Sequence, residues 1–280
     1  MRILDTFPSF PQKPNVQRLR EYYASYPDVF EVYFSYHCKN TDERLTKALE
    51  RYRDDWDSIQ KVHRQIAGLV EDVVGTYKAK YHLTFPIDVN LIVGAYGSNA
   101  YTHREIIPDI TFAMERLTAE SGPLKVIIAH EFGHATHNII SDQHRLNWKK
   151  MRWENPYIWL LREGAATHFS REIVPELKPS VYFSYHLEGD EWFEFAEKHK
   201  RSVIREFAMD IRNMKESGAF FKEWFSINGG SKFGYTRLAY YIADCMFQDF
   251  VKQRGEIETL LLWKNEAYFE MVEDWLSQQM

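Results

Sequence analysis

The sequence predicts a mainly helical α+β protein, and three observations carry that reading. Apolar residues recur at threes and fours through several long segments, the period of a helix with one buried face. Two short runs between residues 87 and 114 are apolar, partly β-branched and bounded by glycine or proline, as strands are. Beyond Gly122 the helical period continues almost to the C-terminus. The expected organisation is a small mixed α/β part with a sheet at residues 1–120 and an all-helical part at residues 121–280, with a cleft between them. One continuous domain is the alternative division.

Taken in order, residues 1–40 read as short aromatic pieces broken by proline, with at most a strand or two around "VFEVYFSYH" (29–37). Asn40, followed three residues on by Glu43, reads as a capping box. It opens a helix to about Lys80, with a stripe of Leu45, Leu49, Tyr52, Trp56, Ile59, Ile66 and Val73. Gly68 and Gly75 are places where that helix could bend or divide. "IDVNLIVGAYG" (87–97) is a strand ended by glycines, and "DITFAM" (109–114) is a second, joined to it by the polar loop "SNAYTHREIIP". Pro123 fits the first turn of a helix running to about Ile140, and Asn155 with Pro156 caps another to about Ile173. Further helices are expected from Asp190 to about Met214 and from about Phe233 to Gln253, with one or two more at the C-terminus.

Composition bounds the function. The 280 residues are 45% hydrophobic, 27% charged and 16% aromatic, enough apolar material for a substantial, ring-rich core. A net charge of −5 with no Lys/Arg-rich block argues against a nucleic-acid partner. Cys38 and Cys245 are far apart and outside any metal-ligand spacing, as expected for free thiols in a reducing compartment. No signal-peptide pattern opens the chain and no apolar run reaches the roughly 18 residues of a membrane span. The expectation is a cytoplasmic protein without a membrane partner. No motif speaks to oligomeric state.

The stretch "VIIAHEFGHATHN" (126–138) concentrates the chemistry. On a helix His130 and His134 project from one face, close enough for both imidazoles to grip a single Zn²⁺. Glu131 lies one position further round, placed as a general base for a water that the metal acidifies. The flanking residues are uncharged, so the helix is expected to be buried, where two imidazoles and a carboxylate without partners are costly. A metal removes that cost; a hydrogen-bonded core cluster is the ordinary alternative. A catalytic zinc takes a third protein ligand and leaves one position open. In metzincins a glycine and then a ligand follow the second histidine, but here those positions are His137 and Ile140. His137 is expected to pack. Glu163, in the apolar segment "WLLREGAATHFS" (159–170), is the candidate third ligand, and the small residues Gly164, Ala165 and Ala166 would let its helix approach the metal helix. Pairing of Glu163 with Arg162 or another cation is the alternative.

"HEFGH" followed by "REGAATHF" resembles the paired signature of the gluzincins, metallopeptidases with His-Glu-x-x-His on one helix and a zinc-binding Glu on the next. Within that group the chain is most similar to the YjaZ-type predicted zinc-dependent proteases, which also carry a Gly-Tyr-rich helix comparable to "GYTRLAYYIAD" (234–244). The resemblance covers roughly residues 85–250 and implies a zincin-like fold and one Zn²⁺ per chain. It further implies His130, His134 and Glu163 as ligands, Glu131 as general base, and a peptide or protein substrate. It also implies a downstream oxyanion donor, for which Tyr235 is the candidate, with Tyr240 and Tyr241 as fallbacks. Many gluzincins orient a zinc histidine with an acidic residue where this chain has Thr167; Asp142 or Asn138 would have to substitute. Zincins take substrate as an added strand on a sheet edge, which directs attention to residues 109–114 and the loop before them, with an ordinary core strand as the alternative. His103, His168 and His186 are expected to be structural.

The sequence therefore predicts a zinc metallopeptidase. A catalytically inactive zinc-binding peptide-binding or scaffold protein is the alternative, disfavoured by the presence of the base Glu131. A carboxylate-bridged di-iron protein would need a second Glu-x-x-His unit, and the chain has none.

Overall fold

The computed structural model describes residues 1–213 and 216–280. Helix makes up 65% and a four-stranded mixed sheet the regular remainder, so the α+β, mainly helical expectation stands. Two compact units comprise residues 1–135 and 136–280.

In the first unit the strands are β1 (Arg2–Asp5), β2 (Asp88–Ile92), β3 (Ala100–Thr102) and β4 (Ile110–Ala113), and its helices are α1 (Val16–Ala24), α2 (Pro27–Val32) and α3 (Asp42–Tyr81). The sheet order is β1-β2-β4-β3. β1, β2 and β4 are parallel, and β3 runs antiparallel to β4 with Tyr101 opposite Thr111. The two central strands, β2 and β4, are buried along almost their whole length, with Asn90 and Thr111 as polar residues among the apolar ones. Asn90 is tolerated there because its Nδ2 donates to Thr111 Oγ1 on the neighbouring strand at 3.2 Å.

This order corrects the expectation for residues 109–114. β4 lies inside the sheet, and the edges are β1 and β3. β3 falls within the stretch expected to be a polar loop; at three residues it is too short to show a period. "VFEVYFSYH" is not a strand either. Pro27 occupies the first turn of α2, a turn of π-helix continues it over Tyr33–His37, and Val29, Phe30 and Tyr33 are buried at helical spacing. Aromatic and β-branched residues favour strands only where a pleated surface receives them. Here they pack ring against ring instead, with Tyr23 and Phe30 centroids 4.6 Å apart.

α3 is one unbroken helix of 40 residues, so Gly68 and Gly75 do not divide it. Its cap is Thr41, whose Oγ1 accepts from Arg44 N at 3.2 Å, one residue later than expected. The stripe from Leu45 through Tyr52, Ile59, Ile66 and Val73 is buried as the period predicts. Near its start α3 holds the loop that follows β2. Tyr52 Oη donates to Gly94 O, and Arg44 Nε donates to Ala95 O at 2.7 Å. From the other side Glu115, in the turn after β4, accepts from Gly94 N at 2.9 Å and Tyr96 N at 3.0 Å. The Tyr33 hydroxyl accepts from Ala95 N and Gly97 N, each at 2.9 Å. Four successive amides are thus satisfied by two buried side chains. Burial pushes the Glu115 carboxyl up, and the amide donors pull against that.

α4 (Ser121–Gln143) begins in the first unit and runs unbroken into the second. The second unit continues with α5 (Pro156–Ile173), α6 (Val181–Ser184), α7 (Asp190–Lys198), α8 (Lys200–Asn213), α9 (Ser217–Trp224), α10 (Leu238–Arg254), α11 (Glu256–Leu260) and α12 (Tyr268–Gln279). Asn155 caps α5 as expected, its Oδ1 accepting from Tyr157 N at 2.8 Å with Pro156 in the first turn. The helix expected from Asp190 is two helices broken at His199, and its expected end at Met214 lies outside the described residues. α10 starts at Leu238, not Phe233, so Tyr235 stands in the connection before it. Among the described residues no helix is long and apolar enough to cross a membrane.

Candidate metal centre

Every residue of α4 from Val126 to Ser141 is buried. A helix apolar on all sides belongs in an interior, and that is why its few polar side chains are informative. His130 is 2% exposed, His134 7% and Glu131 8%. The four-residue spacing sets the two imidazoles together, with ring centroids 4.9 Å apart and planes at 89°. Nearby, the Tyr77 hydroxyl of α3 donates to Ala129 O at 2.7 Å, and Phe85 meets Phe132 edge-on at 5.1 Å.

Glu163 on α5 joins this pair. One ligand atom from each of His130, His134 and Glu163 lies within 4.8 Å of the other two, a grouping that could hold a metal ion. Ligands about 2.0–2.2 Å from one tetrahedral ion stand roughly 3.5 Å apart, so closing on an ion asks for movements on the order of 1 Å. Both histidines are buried and Glu163 is half-buried, so the grouping differs from the exposed acidic clusters common on protein surfaces. Of the residues singled out from the sequence, the structure brings these three together.

His137 packs, as expected. It is 1% exposed, lies against Trp263 with centroids 4.0 Å apart, and its Nε2–H donates to Leu260 O at 2.8 Å. Burial pushes its pKa down to about 3, so the folded chain holds it neutral. The unfolded chain protonates it near 6.5. Its contribution to stability is therefore complete above about pH 6.5 and is lost as pH falls from there towards 3. At pH 4.5 the loss should be about 2–3 kcal/mol. Urea unfolding at pH 7 and pH 4.5, compared with His137→Asn, isolates the effect; equal pH dependence in the two proteins would refute it.

The other candidates lie in different surroundings. The Tyr235 hydroxyl donates to Glu191 Oε1 at 2.6 Å, and its ring stacks on Phe195 at 4.4 Å. That hydrogen bond raises its pKa. Tyr240 is half-buried, its ring 5.4 Å from the Arg237 guanidinium, and Tyr241 is buried with its hydroxyl pushed up by desolvation. The Thr167 hydroxyl is buried with no hydrogen-bond partner among the described residues, so it orients neither histidine. Asp142 is exposed and accepts from Trp148 Nε1 at 2.9 Å, whereas Asn138 is buried one helical turn beyond His134. His168 bridges Glu256 at 2.8 Å and Gln248 at 3.2 Å, and His103 bonds Thr111 at 2.8 Å; both fill structural roles. One local expectation is corrected. Gly164 packs against α10, where an added Cβ would stand 2.6 Å from Ala243 O and 2.8 Å from Phe247 Cβ. The glycine beside Glu163 thus fixes α5 on α10.

Two residues with unusual surroundings had no signature in the sequence. Glu115 carries no motif, because its role depends on the fold returning the 94–97 loop to it. Arg237, two residues after Tyr235, carries no motif either. No family model, curated protein or solved structure matches the chain.

Proposed function

We propose that the chain is a zinc-dependent peptidase of the gluzincin class with a zincin-like arrangement, most similar to the YjaZ-type proteases. The convergence of His130, His134 and Glu163 ligand atoms within 4.8 Å is the observation that supports this reading. Two imidazoles and a carboxylate are a donor set suited to catalytic Zn²⁺, with a fourth position for solvent or substrate. When bound, the ion supplies a Lewis acid that polarises the scissile carbonyl and acidifies a water.

His130, His134 and Glu163 would hold the ion. Glu131, on the same helix and adjacent to the first ligand, takes the proton of the attacking water and returns it to the leaving amine. Burial suits this role, because exclusion of bulk water strengthens the charge interactions around a developing oxyanion. Tyr235 is the candidate donor to that oxyanion, a role that would require it to leave its present acceptor, Glu191. β3, as a sheet edge, offers unpaired backbone to an extended peptide.

Digestion of a defined peptide library tests the proposal. Cleavage should stop with a zinc chelator and return with added Zn²⁺. Cleavage indifferent to chelation would overturn it, and stoichiometric zinc uptake with no cleavage would favour a peptide-binding scaffold.

A further inference from the structure

The connection before α10 holds an arginine whose surroundings are built for a ligand. Arg237 adopts a left-handed conformation, φ 58°, and so does Tyr185 at the end of α6, φ 60°. Neither is a glycine, and such strain persists only where the surrounding structure enforces it. Here the two strained residues meet. The Arg237 guanidinium lies 5.5 Å from the centre of the Tyr185 ring and 5.4 Å from that of Tyr240. Its Nη2 donates to Phe183 O at 3.0 Å, and Trp192 Nε1 pins the preceding residue by donating to Thr236 O at 2.8 Å. Arg237 Nε is buried and has no acceptor among the described residues.

A buried guanidinium N–H without an acceptor is a costly arrangement, and a fold that fixes the rest of the side chain so firmly leaves the want unmet. The acceptor that fits is a carboxylate. It is planar, has two oxygens to match the guanidinium fork, and carries the opposite charge. The guanidinium is planar by resonance, and its bond to Phe183 O and the two neighbouring rings restrict it, which lowers the entropy lost when the partner arrives.

Its position relates it to the candidate metal centre. α10 meets Gly164, next to Glu163, at Ala243. Arg237 stands at the N-terminal end of that same helix.

We propose that Arg237, beside the rings of Tyr185 and Tyr240, binds a substrate carboxylate. The carboxylate is a peptide's C-terminus or an acidic side chain. This rests on the peptidase reading for its substrate but not for its detection, because binding is measured without turnover.

Three probes separate the possibilities in a Glu131→Gln background by calorimetric titration. They are N-acetyl-tetraalanine, its C-terminal amide, and that amide with glutamate as the last residue. At least one carboxylate-bearing probe should bind about tenfold or more tighter than the neutral amide, the scale of a charge-assisted hydrogen bond. The first probe winning points to a terminal carboxylate, the third to an acidic side chain. Arg237→Gln should abolish the preference and Arg237→Lys should reduce it, since an ammonium keeps the charge but loses the fork. Should Arg237→Gln fail to fold, as judged by its melting temperature, the lysine variant decides. No preference in the parent, no binding of any probe, or a preference unchanged by substitution would overturn the assignment. An acid preference in a protein that takes up no zinc would leave this site standing and remove the peptidase reading. Zinc-dependent cleavage with no acid preference would do the reverse.

Discussion

Replacing Glu131 with glutamine should lower kcat on any cleaved peptide by about 10²–10⁴-fold, the usual contribution of a positioned general base. The substitution keeps the shape of the side chain and removes its capacity to accept a proton. Glu131 is buried on α4 beside the His130/His134 pair but is not in the ligand grouping. Zinc content should therefore stay at that of the unsubstituted protein, and KM should change far less than kcat. Steady-state kinetics with parallel metal analysis reads both quantities. A variant within about threefold of the parent kcat would remove Glu131 from the chemistry. Loss of zinc along with activity would instead make it part of the ligand shell.

The largest effect on stability should come from Glu115→Ala. Removing this carboxylate takes the acceptor from two buried amides at once, Gly94 N and Tyr96 N. Each unsatisfied buried donor costs about 1–3 kcal/mol, so the loss should be about 2–6 kcal/mol, a large share of the roughly 5–15 kcal/mol that holds a domain folded. Tyr33→Phe removes the acceptor for the two alternating amides, Ala95 N and Gly97 N, and should cost a similar amount. Because both side chains hold one loop, the double variant should lose less than the sum of the two. Urea denaturation measures all three. A loss below about 1 kcal/mol for Glu115→Ala would mean that solvent can take over the amides and that the loop is not clamped.

What the sequence revealed, and what it hid, follows from the range of the interactions involved. α3, α4 and α5 were legible because each is long enough for its apolar period or its cap to declare it, down to Asn155 and Pro156 at the start of α5. His130, Glu131 and His134 were legible because their relation is fixed within one helical turn. Pairing Glu163 with them required a motif, since 29 residues separate it from His134 and no local rule sets that distance. β1 and β3 escaped because strands of four and three residues carry almost no period, and their identity comes from pairing with β2 and β4. α2 was misread because aromatic and β-branched residues fit either state until the packing partner is known. The role of Gly164 was placed on the wrong neighbour for the same reason: small residues announce a close approach but not which helix approaches. Arg237 was silent. Its strained backbone and its two neighbouring rings exist only in the folded chain.

The central claim is that two imidazoles from α4 and a carboxylate from α5 share one ion. X-ray absorption at the zinc edge, on protein purified with added Zn²⁺, tests it directly when combined with metal counting on His130→Ala, His134→Ala and Glu163→Ala. The expected result is one zinc per chain, with a first shell of two imidazole nitrogens and carboxylate oxygen, and loss of stoichiometric binding in each histidine variant. The Glu163 variant should keep the two nitrogens and lose the carboxylate. A chain that takes up no zinc, or one that binds it equally well without His134, would contradict the claim.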